Sequence, residues 1–227
     1  MRPGSMRVAW DRIIPQTNLT QDAIEGFASG NPELDHFWLD KSLTYSKIGM
    51  CAVHVAMKGE DIAGFYTISP SVIRGVGLPK SRQAGKPTMA HPSWLIGELA
   101  VRKDLRGKKE NGSVGAALLC HAVHMACDLS VMAGGRLVML DPLNDTLGKW
   151  YEDHGLVPAA TRREDHVHAV EERQKLYGTN RRTVLRVLIV ESGDAGTAGL
   201  LTEAATKVHA ARIPARPGRM DLPWESA

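Results

Sequence analysis

Hydrophobic positions along the chain alternate between the spacing of strands and the spacing of helices. Helical spacing of apolar residues predicts helices at residues 31–41, 113–131 and 144–154. Short apolar runs predict strands at residues 8–14, 51–57, 62–69, 95–101, 137–140 and 184–190, with a hairpin between the second and the third. This order of strands and helices predicts an α/β domain whose mixed sheet carries helices on both faces.

Two of the predicted helices begin with residues typical of helix N-termini. Asn31 and Pro32 suit the N-cap and the first helical position, and Ser113 suits the N-cap of the next helix. This second start lies in residues 94–119, after a buried strand and a basic, glycine-bearing loop. Glycines let backbone N–H groups approach a ligand, and a helix N-terminus attracts anions, so the stretch indicates a phosphate site. A plain connecting turn is the alternative, because many α/β proteins have a glycine loop before a helix.

Composition limits the classes of function only loosely. The 227 residues are 43% hydrophobic and 23% charged, which is typical of a globular protein with a full core. A net charge of +3 and a pI near 8.8 suit an anionic cofactor or a nucleic acid without demonstrating either. Cys120 and Cys127 are too far apart on one predicted helix to pair, which favours a reduced, cytoplasmic protein. We identify no apolar run of membrane-spanning length.

The chain divides into one domain and an appendage. We expect the domain at residues 1–192, followed by a C-terminal helix and a proline-rich tail at residues 193–227. Residues 74–92 are rich in glycine, proline and basic residues and predict a long surface loop. Cys120, His124 and Cys127 share a helical face. Structural zinc sites draw their ligands from separate turns or loops, so we expect no metal there.

Several motifs give the chain a resemblance to a known family. The strand end Leu-Ala-Val at residues 99–101, the segment RGKKENGSVGAALL at residues 106–119 and the segment DPLNDTLGKWYEDHG at residues 141–155 resemble the GNAT acetyltransferase superfamily. The segments FASGNPELDHF at residues 27–37 and GFYTIS at residues 64–69, followed by Leu-Pro at residues 78–79, resemble the GNAT toxins of bacterial toxin–antitoxin pairs. The resemblance implies a splayed mixed sheet that binds acetyl-CoA in its gap, and acetylation of the amino group of aminoacyl-tRNA.

The residues of the site follow from the same motifs. Tyr151 matches a tyrosine that protonates the departing CoA thiolate, and core packing is the alternative. Glu98 could act as a general base through a water, or it could pair with an arginine. Asn144 precedes Tyr151 by two helical turns, so both can face one cleft, and a capping role for Asn144 is equally open. The residues expected to bind the cofactor are Leu99, Ala100, Val101, Arg106, Gly107, Lys108, Gly112, Ser113, Val114, Gly115, Ala116 and Asn144.

The sequence departs from the family pattern at two places. The loop after Arg106 is about four residues longer than usual, and Glu98 stands where toxin-like members usually carry a basic residue. The partners that we expect are tRNA as substrate, a separate ribbon–helix–helix antitoxin and a second copy in a homodimer. An enzyme for small amines or proteins and a non-catalytic GNAT fold stay open as alternatives. A basic surface for RNA phosphates would comprise Arg74, Lys80, Arg82, Lys86, Lys108 and Lys109.

Overall fold

A computed structural model describes residues 10–74, 78, 85–86, 88–107, 113–159 and 186–189 of the chain. Within these residues the backbone forms one seven-stranded sheet in the order β1-β2-β3-β4-β5-β7-β6. The pairs from β1 to β4 are antiparallel, β4 and β5 are parallel, and β7 pairs antiparallel with both β5 and β6. The strands are β1 (Arg12–Pro15), β2 (Ala52–Lys58), β3 (Asp61–Arg74), β4 (Ala90–Val101), β5 (Leu137–Leu140), β6 (Val157–Pro158) and β7 (Arg186–Ile189).

Polar side chains cap the starts of four α-helices, at Thr20, Asn31, Ser113 and Asn144. Asn31 Oδ1 accepts the backbone N–H groups of Glu33 and Leu34, at 2.9 and 3.3 Å, which satisfies amides that have no partner within the helix. The helices are α1 (Gln21–Glu25), α2 (Pro32–His36), α3 (Ser42–Lys47), α4 (Val114–Ala133) and α5 (Asp145–Asp153), and a π-helical turn at Phe37–Lys41 joins α2 to α3.

Helices cover both faces of the sheet, as the sequence predicted. On one face the indole of Trp38 is fully buried and packs on Phe65 of β3, with ring centroids 4.6 Å apart. On the other face α4 contributes Leu118, Leu119 and Val123 to a second apolar core. The burial of these apolar faces against the sheet is the main stabilising term of the fold.

Helix α4 lies unusually close to β3 at Gly64. A Cβ atom at this position would lie 2.5 Å from the carbonyl oxygen of Ala100 and 2.7 Å from Cδ1 of Leu118. Glycine is therefore required here by close packing, not by backbone conformation.

By length and composition α4 could cross a membrane, which the sequence alone did not lead us to expect, yet its apolar residues form the core on the sheet.

Parallel pairing between β4 and β5 is confined to residues 93–96 of β4 and all four residues of β5. Strand β5 ends at Leu140, whereas β4 continues to Val101 and keeps its pairing with β3. The peptide groups on the outer edge of residues 97–101 therefore have no β5 partner, and the two strands leave a gap.

The element bounds differ from the sequence prediction at several places. Strand β1 begins at Arg12 instead of residue 8, although Trp10 before it is buried in the core. Strands β3 and β4 extend to Arg74 and Ala90, which pair with each other, so the predicted loop at residues 74–92 is shorter. The predicted helix and tail at residues 193–227 lie outside the described residues, and the domain boundary at residue 192 stays a prediction.

Candidate active site

The gap between β4 and β5 opens into a cavity of about 500 Å³. Its walls come from the end of β4 beyond its pairing with β5, the turn after it, the first turn of α4, the segment after β5 and the inner face of α5. Of the residues expected in the site, those lining the cavity are Glu98, Leu99, Ala100, Val101, Arg106, Gly107, Ser113, Val114, Gly115, Asn144 and Tyr151. Segments far apart in sequence therefore meet around one space.

The first turn of α4 forms one end of the cavity. Ser113 Oγ accepts the Ala116 N–H at 3.2 Å and the Ser113 carbonyl accepts the Ala117 N–H, which fixes where the helix begins. The amides of Val114 and Gly115 come before Ala117, the first backbone donor to a carbonyl of the helix, and are available to a ligand. Helix N-termini of this kind attract anions, and α4 is 20 residues long.

Gly115 leaves open space at this end. A Cβ atom placed on Gly115 would meet only Val101 Cγ2, Trp150 Cζ2 and Ser113 Oγ, at 3.7–3.9 Å. Exposed Arg106 and Gly107 border the same space from the turn after β4, where Gly107 has a φ of +68° that favours glycine. The site can thus receive a phosphate close to backbone amides and one guanidinium.

Tyr151 lies on the inner face of α5 with only 9% of its surface exposed. Its ring packs edge-on against Trp150, with centroids 5.0 Å apart, and it belongs to the same core as α4. Burial, and secondarily the negative charge of Glu98, raise the pKa of the Tyr151 phenol to about 12. The phenol therefore keeps its proton at neutral pH and can act as an acid.

Glu98 is half-buried on β4, and its backbone N–H donates to Thr67 Oγ1 at 2.8 Å. Its carboxylate lies near enough to Tyr151 and Cys51 to contribute to the raised pKa of both groups, although burial is the larger cause in each. The structure thus brings the two predicted catalytic residues to one cavity. The role of Glu98 as a general base stays a prediction, as does its alternative role as the ion-pair partner of an arginine.

Asn144 combines the two roles that the sequence left open. Its Oδ1 accepts the Leu147 N–H at 2.9 Å and so caps α5, and the residue also lines the cavity. The cap fixes the start of α5 relative to the end of β5. Two turns later the same helix carries Tyr151 into the cavity.

Three residues expected to bind the cofactor are not placed there. Ala116 is absent from the cavity wall, because its amide is taken by the Ser113 hydroxyl. Lys108 and Gly112 lie outside the described residues, as do Lys80, Arg82 and Lys109 of the predicted basic surface. Arg74 and Lys86 of that surface are described and exposed.

The sequence reading missed part of the cavity wall. The first turn of α2 contributes one side, although the motif at residues 27–37 that carried the toxin resemblance contains it. Apolar residues of α5 and its flanks belong to the motif at residues 141–155 but were given no part in the site. The missed wall residues are Asn31, Glu33, Leu34, Gly97, Leu105, Asp141, Leu143, Leu147 and Trp150.

Histidine and cysteine side chains of α4 lie apart from the cavity. Cys120 Sγ lies 3.7 Å from His124 Nδ1, and the Tyr66 hydroxyl lies 2.8 Å from His121 Nδ1 inside the core. In the part of the chain that the structure describes, no group of three or more His, Cys, Asp or Glu residues is arranged to hold a metal ion.

Solved structures share this architecture at low sequence identity, and no family model matches the chain. A mutant AtaT toxin bound to the C-terminus of the antitoxin AtaR and acetyl-CoA matches with a TM-score of 0.57 and 18% identity, over 85% of this chain and 98% of that one. AtaT complexed with acetyl-methionyl-tRNAfMet matches with a TM-score of 0.59 and 22% identity, over 68% and 91%. A tyrosine-to-phenylalanine mutant of KacT matches with a TM-score of 0.60 and 20% identity, over 74% and 88%.

The chain has the GNAT fold of these toxins. The predicted fold class, a mixed splayed sheet with helices on both faces, is thereby confirmed. The gap between β4 and β5 is the defining feature of this architecture in the present structure, and it coincides with the cavity that contains Tyr151.

Proposed function

We propose that this protein is an acetyl-CoA-dependent N-acetyltransferase that acetylates the amino group of aminoacyl-tRNA. One observation carries the proposal. The wall of the cavity between the splayed strands includes both helix amides and a buried, protonated phenol, in a fold shared with toxins solved with acetyl-CoA and with an acetylated aminoacyl-tRNA.

The cavity has the features that acetyl-CoA needs. The amides of Val114 and Gly115, together with Arg106, would hold the pyrophosphate, because an anion gains from both the helix dipole and the guanidinium. The edge of β4 beyond its pairing with β5, at residues 97–101, would hold the amide groups of the pantetheine arm as a further strand would. Bound acetyl-CoA supplies an acetyl group activated as a thioester.

Tyr151 and Glu98 are the residues that would move protons. The Tyr151 phenol holds its proton at neutral pH and can deliver it to a thiolate that develops beside it. The Glu98 carboxylate can accept a proton from an acceptor ammonium, directly or through a water, and free its amine for attack. Both side chains border the same cavity, so the proposed proton donor and the proposed proton acceptor would both be within reach of one bound acyl group.

The acceptor is proposed from the neighbour structures and from charge. AtaT has been solved with acetyl-methionyl-tRNAfMet, which is a tRNA whose aminoacyl group carries an acetyl group. Exposed Arg74 and Lys86, together with Lys80, Arg82, Lys108 and Lys109, would contact the phosphates of an acceptor stem. Such contacts weaken as the salt concentration rises.

We also propose a protein partner. AtaT was solved with the C-terminus of the antitoxin AtaR, which is a second chain. We expect a ribbon–helix–helix antitoxin encoded next to this chain, and a homodimer of the toxin itself. Size-exclusion chromatography of the co-expressed pair would measure both.

The test is expression without a partner, followed by an assay of the purified protein. Growth should stop, and the protein should transfer radiolabelled acetyl from acetyl-CoA to purified charged tRNA but not to uncharged tRNA. Tyr151→Phe should remove both effects. Normal growth with turnover of polyamines or aminoglycosides would instead indicate an enzyme for small amines. No acetyl-CoA binding by calorimetry would indicate a non-catalytic fold.

A further inference from the structure

Strands β3 and β4 lose their regular pairing beside the candidate active site. Tyr66 pairs with Leu99, but the next pair is Ile68 with Ile96. Thr67 of β3 therefore faces two residues of β4, Gly97 and Glu98, where a regular ladder would place one. Two residues against one is the definition of a β-bulge, and bulges re-aim side chains next to active sites.

Thr67 is the residue that fills this bulge. Its side chain is only 3% exposed, and its Oγ1 accepts the Glu98 N–H at 2.8 Å, replacing the backbone acceptor that the bulge removes. The same oxygen lies so close to Gly97 that a Cβ atom there would approach it to 2.9 Å. One hydroxyl thus lies against both residues of β4 that form the bulge.

The bulge decides which way Glu98 points. Side chains alternate between the faces of a strand, so a change of one residue in register turns every later side chain to the other face. With the bulge in place, Glu98 borders the cavity near Tyr151 and Cys51, while Ala100 packs into the core beneath α2. Thr67 itself is absent from the cavity wall, so it would not contact a substrate.

We propose that Thr67 is a positioning residue for acyl transfer, which holds the bulge at Gly97 and Glu98 so that the Glu98 carboxylate and the β4 edge face the acyl group beside Tyr151. The inference rests on the proposed function for its catalytic consequence. Its structural content, a hydroxyl that sets the position of Glu98, can be measured without turnover.

The first measurement is kinetic. Thr67→Val keeps the shape of the side chain and removes the acceptor oxygen, whereas Thr67→Ser keeps the oxygen. We expect Thr67→Val to lower kcat for acetyl transfer by about 10-fold to 100-fold, since small misplacements of reacting groups have effects of this size. Acetyl-CoA affinity by calorimetry should change by less than about threefold, and Thr67→Ser should restore most of kcat.

The second measurement reports the position of Glu98 directly. Because the Glu98 charge helps raise the pKa of Cys51, moving or removing that charge should increase the thiolate fraction of Cys51 and its alkylation rate. Peptide-resolved mass spectrometry follows Cys51 separately from Cys120 and Cys127. We expect Glu98→Gln and Thr67→Val to accelerate Cys51 alkylation by about twofold or more at constant pH, and Thr67→Ser to match wild type.

The outcomes separate the two proposals. If wild type transfers no acetyl group but Thr67→Val still accelerates Cys51 alkylation, the proposed function fails and the positioning role stands. If Thr67→Val, or Thr67→Ala should the valine variant not fold, leaves Cys51 alkylation and kcat at wild-type values, the positioning role is wrong. If Glu98→Gln has no effect on Cys51, the thiol does not report the Glu98 charge, and an unchanged kcat in Thr67→Val would then be the result that overturns the positioning role.

Discussion

Replacing Tyr151 by phenylalanine removes one oxygen atom and keeps the ring that packs on Trp150. The variant should therefore fold and bind acetyl-CoA as wild type does, while it lacks the proposed proton donor. Because Tyr151 is only 9% exposed and lines the cavity, the lost hydroxyl is not readily replaced by bulk water. The change tests chemistry separately from packing.

The expected loss of kcat follows from the protonation state of the Tyr151 phenol. With the Tyr151 pKa raised to about 12, only ~10⁻⁵ of the molecules have lost the phenol proton at pH 7, so nearly every molecule is competent. General-acid help is typically worth about 10²-fold to 10⁴-fold in rate. This range corresponds to about 2.7–5.4 kcal/mol of transition-state stabilisation. We expect kcat to fall by this factor.

Acetyl transfer at saturating acetyl-CoA gives kcat, and calorimetry gives cofactor affinity, which should stay within about twofold of wild type. Tyr45→Phe is the matched control, since Tyr45 is 38% exposed on α3 and its ring contacts Phe37 away from the cavity. Wild-type activity should also show no loss from phenol ionisation up to about pH 10. A Tyr151→Phe enzyme as fast as the control would return Tyr151 to a purely structural role.

Three further predictions concern the backbone amides at the start of α4, the core and the stability of the fold in acid. Gly115→Asp should weaken acetyl-CoA binding at least about tenfold, because its charge repels the phosphates at the helix amides. Gly115→Ala, whose Cβ has room, should weaken binding less. Equal affinities of the two variants in calorimetry would contradict a phosphate site at the start of α4. Gly64→Ala should cost about 1–3 kcal/mol in urea unfolding, because its Cβ would lie 2.5 Å from the rigid Ala100 carbonyl; a cost near zero would contradict the close packing. Burial lowers the pKa of His121 from 6.5 to about 4, so between these pH values the unfolded chain binds a proton that the folded chain excludes. The free energy of unfolding, measured with urea, should therefore fall by up to about 3 kcal/mol from pH 6.5 to pH 4. His121→Gln should flatten that dependence.

Features set by neighbouring residues could be predicted from the sequence. The caps at Asn31 and Ser113 each involve a side chain and an amide two or three positions later, so the residues themselves carry the signal. The hairpin of β2 and β3 and the strand ending at Val101 follow from apolar runs and a short polar turn. These elements position most of the cavity wall, whereas Tyr151 was predicted from the resemblance of residues 141–155, and its catalytic role stays a prediction.

Features set by pairing between distant strands could not be predicted in this way. Ala90 belongs to β4 because it pairs with Arg74, although the glycine- and proline-rich composition around it is typical of a loop. Thr67 acquires its role only because Glu98, 31 residues later, lies opposite it at the bulge. A single sequence holds no local sign of such a register shift, so the positioning residue had to come from the structure.

The long loop after Arg106 is no reason by itself to expect a lost cofactor site. The start of α4 is fixed by Ser113, whose hydroxyl accepts the Ala116 amide, and this contact is the same whatever length of chain precedes it. The amides that face the cavity belong to Val114 and Gly115, after the cap, and the end of β4 that faces them is held by its pairing with β3. The extra residues before Ser113 therefore leave the backbone donors of Val114 and Gly115 in place, and the length of that segment does not by itself imply that the cofactor site is lost.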